Sequence, residues 1–185
     1  MQRTPNHTII RKGTILYHGT DKRAIKGIKQ GGLDVSSDQL PPGASGAWVT
    51  PSFNVAREYG GDVAHFTAKQ DLIIHHQPED TSELGQMRTA NRLVNEENDE
   101  GRQLDPDEMK DYGYEGADRS KAADISTVLE KQGFHGHWDP WQNNHEMAIY
   151  NPEHLEFSGW SSASKKGLKF HPLNSALNKT QFNRG

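Results

Sequence analysis

Cysteine is absent from the 185 residues. That excludes a disulfide framework, a thiolate nucleophile and any cysteine-based metal centre. Long apolar runs are also missing, since no stretch approaches the roughly 18 residues of a membrane span. The opening "MQRTPNHTIIRKG" lacks the apolar core of a secretion signal. These absences lead to the expectation of a cytoplasmic protein in a reducing compartment. Apolar residues make up only 32% of the chain and mean hydropathy is −0.92, yet the apolar residues come in clusters, unlike those of a disordered chain. A formal charge of −4 argues against a general nucleic-acid binder.

Charge is unevenly spread. Thirteen carboxylates and four basic residues lie between 79 and 118, whereas 159–185 holds five basic residues and no acid. The expected organisation is one domain over 1–158, interrupted by an acidic helical and loop insertion at 79–118. A basic, loosely held tail follows at 159–185. The insertion is the expected face toward a basic partner.

Patterning within the domain mixes two periods. Strands are expected over 13–20, 47–50, 63–69 and 72–76, and around a turn at "PWQNN" (140–144), from alternation and β-branched content. Helices are expected over 21–32, 53–59, 82–98 and 120–133, each with an apolar side and a capping Asp or Ser or a terminal Gly. Strands near both ends with helices inserted between them indicate an α+β fold.

Three short stretches carry chemistry-bearing residues: "YHGT" with His18, "GAWVTPSFNVAREYG" with Trp48 and Tyr59, and "EMAIYNP" with Glu146. Their order and internal spacing resemble the ADP-ribosyltransferase superfamily, in the branch with a His-Tyr-Glu triad. That branch holds diphtheria-toxin-like toxins and the catalytic domains of poly(ADP-ribose) polymerases. The matching positions are His18-Gly19-Thr20, Gly46-Ala47-Trp48 with Tyr59 eleven residues on, and Glu146-Met147-Ala148-Ile149-Tyr150-Asn151. Trp48 departs from the commoner tyrosine, which changes ring size and keeps stacking. "GFHGHWD" and the overall size further resemble small phage-encoded ADP-ribosyltransferases that disable bacterial defence.

The resemblance implies a split β-sandwich with NAD in the cleft between two sheets. It implies release of nicotinamide and transfer of ADP-ribose to a macromolecular acceptor, more readily a protein than a nucleic acid, by a toxin, effector or anti-defence protein. NAD is then the substrate, with no metal required and no membrane partner. The residue chemistry agrees with this. A flat nicotinamide cation suits a slot between Trp48 and Tyr59, at roughly 0.5–2 kcal/mol per aromatic face. His18 suits a ribose hydroxyl, the Gly19 backbone suits the carboxamide, and Glu146 suits the oxocarbenium-like charge. Thr20 is expected near the adenosine, and Phe53 either as a further cleft aromatic or as the residue that packs its helix down. Gln142, Asn143 and Asn144 are expected to face the acceptor.

Other readings stand beside this one. An NAD glycohydrolase needs the same triad. RNA 2′-phosphotransferases use NAD on the same fold with a His-His-Arg pattern, which Glu146 argues against. An inactive NAD- or ADP-ribose-binding module would keep the slot and lose the reaction. A histidine-based metal protein would draw on His135, His137 and His145, or on His75 and His76.

Overall fold

The computed structural model describes residues 1–4, 6–33, 46–76, 83–139, 146–164 and 167–173. The strands are β1 (Gln2–Arg3), β2 (His7–Ile10), β3 (Ile15–Thr20), β4 (Ala47–Val49), β5 (Asp62–Ala68), β6 (Leu72–His76), β7 (Gly136–Asp139), β8 (Glu146–Ile149), β9 (Leu155–Ser164) and β10 (Gly167–Pro172). The helices are α1 (Lys22–Gly31), α2 (Phe53–Glu58), α3 (Glu83–Glu100), α4 (Pro106–Asp111) and α5 (Ile125–Lys131), with 3₁₀ turns at Arg119–Lys121 and Pro152–His154.

The strands form two sheets, one of order β1-β2-β6-β7-β8-β4 and one of order β10-β9-β5-β3. All pairings are antiparallel except β6 with β7. The fold is therefore α+β with two sheets. Period-two burial gives strands such as β2, β4 and β6 a core side and an outer side. Val49, Ile74, Trp138, Met147 and Ile149 of the first sheet meet Leu16, Ala64 and Phe66 of the second, with Ile25 and Ile28 of α1, in one main core.

Local chemistry sets the helix starts. The Asp21 carboxylate accepts from the N–H groups of Arg23 and Ala24, and Ser52 caps α2 through Val55 N–H. Each such cap is worth about 1 kcal/mol. α3 and α5 cover part of the first sheet's outer face through Met87, Ile125 and Leu129. Asn91 is buried on α3 because both ends of its amide bond the Ala123 backbone, at 2.8 and 2.9 Å.

Four expectations need correction. The tail expected at 159–185 contains the second half of β9 and all of β10, with Gly159–Ser164 paired against Gly167–Pro172. β9 lies between β5 and β10, so the sheet itself crosses the boundary placed at 158. Apart from Trp160, "GWSSAS" is small and polar and so looks loose, but backbone pairing with β5 and the packing of Trp160 against the main core hold it.

The helix expected over 120–133 is instead a 3₁₀ turn and the shorter α5. Asp118 caps the turn and Asp124 caps α5, because aspartate competes for free N–H groups better than it sits inside a helix. The Gly/Asp-rich stretch after α3 contains α4, started by a reciprocal capping box between Asp105 and Glu108 with Pro106 in the first turn. The short strands β1 and β2 were not expected at all. They offer little local signal until β6 pairs with β2 and β2 with β1.

Several carboxylates of the acidic segment have internal partners. Glu97 receives Arg119 and the Leu104 N–H, and Glu108 is paired with Arg102 in two N–H···O bonds. That pairing holds the Glu108 carboxyl at about 2.

Candidate functional site

Among the described residues, the two sheets touch edge to edge at one isolated bridge. Tyr17 and Thr50 exchange both backbone hydrogen bonds, each 2.8 Å long. Directly opposed residues of antiparallel strands share a face. Tyr17 and Gly19 of β3 therefore face the same way as Thr50 and Trp48. The β4–β8 register pairs Trp48 with Ala148 and Val49 with Met147. β4 ends there, and continuing the same register by one residue would set Thr50 opposite Glu146. On that register Glu146, Thr50 and Tyr17 form a row across β8, the end of β4 and β3, which places Glu146 roughly 10 Å from Tyr17 in backbone terms.

Beyond the bridge the two edges are held by a side chain. His18 Nδ1 lies 2.8 Å from the carbonyl oxygen of Trp48. A carbonyl only accepts, so Nδ1 carries the proton and Nε2 is the acceptor. Burial pushes the His18 imidazole below its ordinary value, and the Trp48 carbonyl offsets this in part. His18 is therefore a neutral ring with a defined tautomer.

That bond has a consequence for Gly19. In an antiparallel edge strand, residues two apart turn their N–H and C=O the same way. Since Tyr17 turns both toward Thr50, Gly19 turns both away from β5 as well, onto the edge where Trp48 would be its partner. Trp48 O is taken by His18 instead. No described residue bonds the outward N–H and C=O of Gly19, so one donor and one acceptor stand side by side.

α2 then roofs this edge. A Cβ on Gly19 would stand 1.8 Å from Ala56 O and 2.9 Å from Tyr59 Cβ, and one on Gly60 would stand 2.0 Å from Thr20 O. Only glycine at 19 and 60 lets the end of α2 settle onto β3, and this settling brings Tyr59 over Gly19. Tyr59 is 49% exposed. Gly46 serves the other strand: it enters β4 at φ +136°, and a Cβ there would lie 3.0 Å from that of Ala148.

The expected site residues separate accordingly. His18, Gly19, Trp48, Tyr59 and Glu146 lie on β3, β4, β8 and the end of α2 around the bridge. Thr20 is only 9% exposed, with its side chain on the core side shared by His18. Phe53, expected in the cleft or packed beneath its helix, takes the second place: it packs edge-on against Tyr17 at 5.4 Å and His65 at 5.9 Å, which holds α2 down on the second sheet. Gln142, Asn143, Asn144 and His145 lie outside the described residues.

Two further residues belong to this face. Thr50 is buried, and its Oγ1 accepts from Ser52 N–H at 3.1 Å. His137 reaches the Trp48 ring, with centroids 6.0 Å apart and planes at 89°. The sequence held a signal for His137, the "FHGHWD" stretch, but its two histidines read as a metal pair. In the fold they diverge. His135 Nδ1 accepts from Ile73 N–H, while His137 Nδ1 meets the Tyr150 hydroxyl. Among the described residues, no three metal-capable side chains converge.

Compared with known protein families and with curated proteins, the chain finds no match. Among the described residues, no helix is long and apolar enough to cross a membrane.

Proposed function

We propose that the protein is an ADP-ribosyltransferase that cleaves NAD and passes ADP-ribose to a macromolecular acceptor. The observation that carries this reading is the open donor–acceptor pair of Gly19. It lies beneath Tyr59 and beside Trp48, with a carboxylate two strands away. A primary carboxamide presents one C=O and one N–H on the same side, and Gly19 offers the complementary N–H and C=O. Two sheets joined at an isolated bridge among the described residues also support the split β-sandwich that the motif resemblance implies.

The chemistry follows from those placements. Gly19 orients the nicotinamide amide, and the faces of Tyr59 and Trp48 hold the cationic ring. Nε2 of His18 accepts a hydrogen bond from a ribose hydroxyl. As the bond between C1′ and the nicotinamide nitrogen breaks, its electron pair leaves with neutral nicotinamide, and the ribose becomes oxocarbenium-like. Glu146 steadies that charge and holds the 2′-hydroxyl more tightly as it develops. A nucleophile on the acceptor then bonds C1′ and loses its proton. Apart from NAD and the acceptor's nucleophile, the groups this scheme uses belong to this chain.

The test is nicotinamide release from NAD, with and without cell lysate, by the wild type and by Glu146→Gln. Release that falls about 100- to 1,000-fold on substitution supports the reading. A lysate-dependent rise with label on a macromolecule supports transfer over hydrolysis. NAD binding with no release under either condition would overturn it in favour of a binding module.

A further inference from the structure

His137 is 1% exposed, and the chemistry above does not use it. It lies in a row that crosses the first sheet: His7, His75, His137, Ala148 and Trp48, on β2, β6, β7, β8 and β4. Trp48 and His137 are two strands apart, so their backbones are separated by roughly 10 Å. Their rings nevertheless approach to 6.0 Å between centroids. Ala148 makes this possible, because its methyl group leaves room for both rings to lean over β8. The perpendicular arrangement sets a ring edge against a ring face, the favourable geometry for such a pair.

The other side of the imidazole is also held. Nδ1 lies 2.8 Å from the Tyr150 hydroxyl. Tyr150 shares the outer face, two residues after Ala148, and packs against Met87, Ile125 and Leu129 beneath α3 and α5. The indole of Trp48 is thus connected through His137 and Tyr150 to the helices on the far side of the sheet.

We propose that His137 is a positioning residue that fixes the Trp48 indole as one wall of the nicotinamide slot, with Tyr150 fixing His137 in turn. This rests on the NAD reading of the site. The ring that does so is neutral. Burial lowers His137 to about 4, with His75 of β6 and Arg88 of α3 pushing the same way and Asp124 at the start of α5 opposing them. Burial, with Asp124 and Glu130, pushes the Tyr150 hydroxyl upward, so it stays protonated and keeps its hydrogen bond with Nδ1, whose direction follows the His137 tautomer.

The experiment has two arms. In ¹⁵N-labelled protein, the Trp48 indole N–H signal is identified by its loss in Trp48→Phe. It is expected to shift in His137→Gln and in Tyr150→Phe, while the Trp160 indole signal stays in place. In NAD cleavage, His137→Gln is expected to raise KM roughly tenfold with kcat within about twofold, because the wall binds ground and transition states alike. His137→Phe restores a ring edge against the indole and should recover most of the KM. It also carries both measurements if the glutamine variant does not fold.

An unmoved Trp48 signal in both His137 variants overturns the proposal. A moved signal with unchanged KM overturns the positioning role. If the wild type releases no nicotinamide, the NAD reading fails and takes the positioning role with it. The indole shift would then still report the contact itself, so the two failures are told apart.

Discussion

His18 donates from Nδ1 to the carbonyl oxygen of Trp48 across 2.8 Å, in the place where a β-ladder between β3 and β4 would otherwise continue. One side chain therefore closes the seam between the sheets, sets its own tautomer and leaves the Gly19 edge open. His18→Ala removes all three effects. The expected result is a fall in kcat/KM for NAD of roughly 100-fold, at the upper part of what a hydrogen-bonding group contributes. Circular dichroism of the variant checks that the sheets persist. Because burial lowers His18 below 6.5, its neutral form survives into mild acid. The acid limb of the pH–rate profile should accordingly lie below that value.

Glycine substitutions should separate close approach from chain flexibility. Gly19→Ala sets a methyl group against Ala56 O at 1.8 Å, and backbone cannot move aside cheaply. A loss of roughly 3 kcal/mol or more is expected in urea unfolding. Gly27 lies in α1 with nothing within 4 Å of an added Cβ. Gly27→Ala should gain about 0.5–1 kcal/mol from helix propensity.

Stability should fall in mild acid through His137. Its folded-state value of about 4 lies below the ordinary 6.5. The unfolded chain therefore takes up the proton first as pH falls. The contribution is complete above about pH 6.5 and is lost progressively toward about pH 4, on the order of 3 kcal/mol in total. Urea unfolding at about pH 7 and about pH 5 should show a shallower pH dependence for His137→Gln than for the wild type. Equal dependence would assign the loss to other groups.

A chain ending at residue 158 should not fold cooperatively. It lacks Gly159–Ser164 of β9, which pair with Asp62, Val63, Ala64 and His65 of β5, and it lacks all of β10. The comparison is a thermal melt of residues 1–158 against the full chain. A sharp transition for the shorter chain would mean that β3 and β5 stand without their neighbours.

The acidic segment should depend on one ion pair. Glu97 is nearly buried and accepts from Arg119 Nε at 2.8 and 2.9 Å and from Leu104 N–H at 3.0 Å. Arg119→Leu leaves that carboxylate with one backbone donor. Arg119 is partly exposed, so a loss of only about 1–2 kcal/mol is expected. Limited proteolysis should then cut faster between residues 101 and 118, with NAD cleavage little changed.

Much of the architecture was legible because its signals are local. Alternation in "GTILYHGT", the Asp21 and Ser52 caps and the terminal glycines of α1 each act over a few residues, and they placed β3, α1 and α2 within a residue or two. The motif order likewise brought His18, Trp48, Tyr59 and Glu146 forward together. β1, β2, β10 and the second half of β9 escaped because β2 is held by β6 and β9 by β5, distant in the chain and invisible to a local pattern, while β1 and β10 are held in turn by β2 and β9. Phe53 reads either way in the sequence, as a cleft aromatic or as packing for α2, because an aromatic residue near a turn does not announce which side of a helix meets the sheet.

The sequence by itself determined the spacing of the chemistry-bearing residues and the absence of thiol chemistry. Tertiary structure alone decided that Tyr17 meets Thr50 and that Glu146 falls in register two strands from β3. It also decided that His137 reaches Trp48 across an alanine. The physical reason is that strand register is a long-range choice. It is made by which faces are buried together, and a shift of one residue would turn every one of these side chains to the opposite side of the sheet.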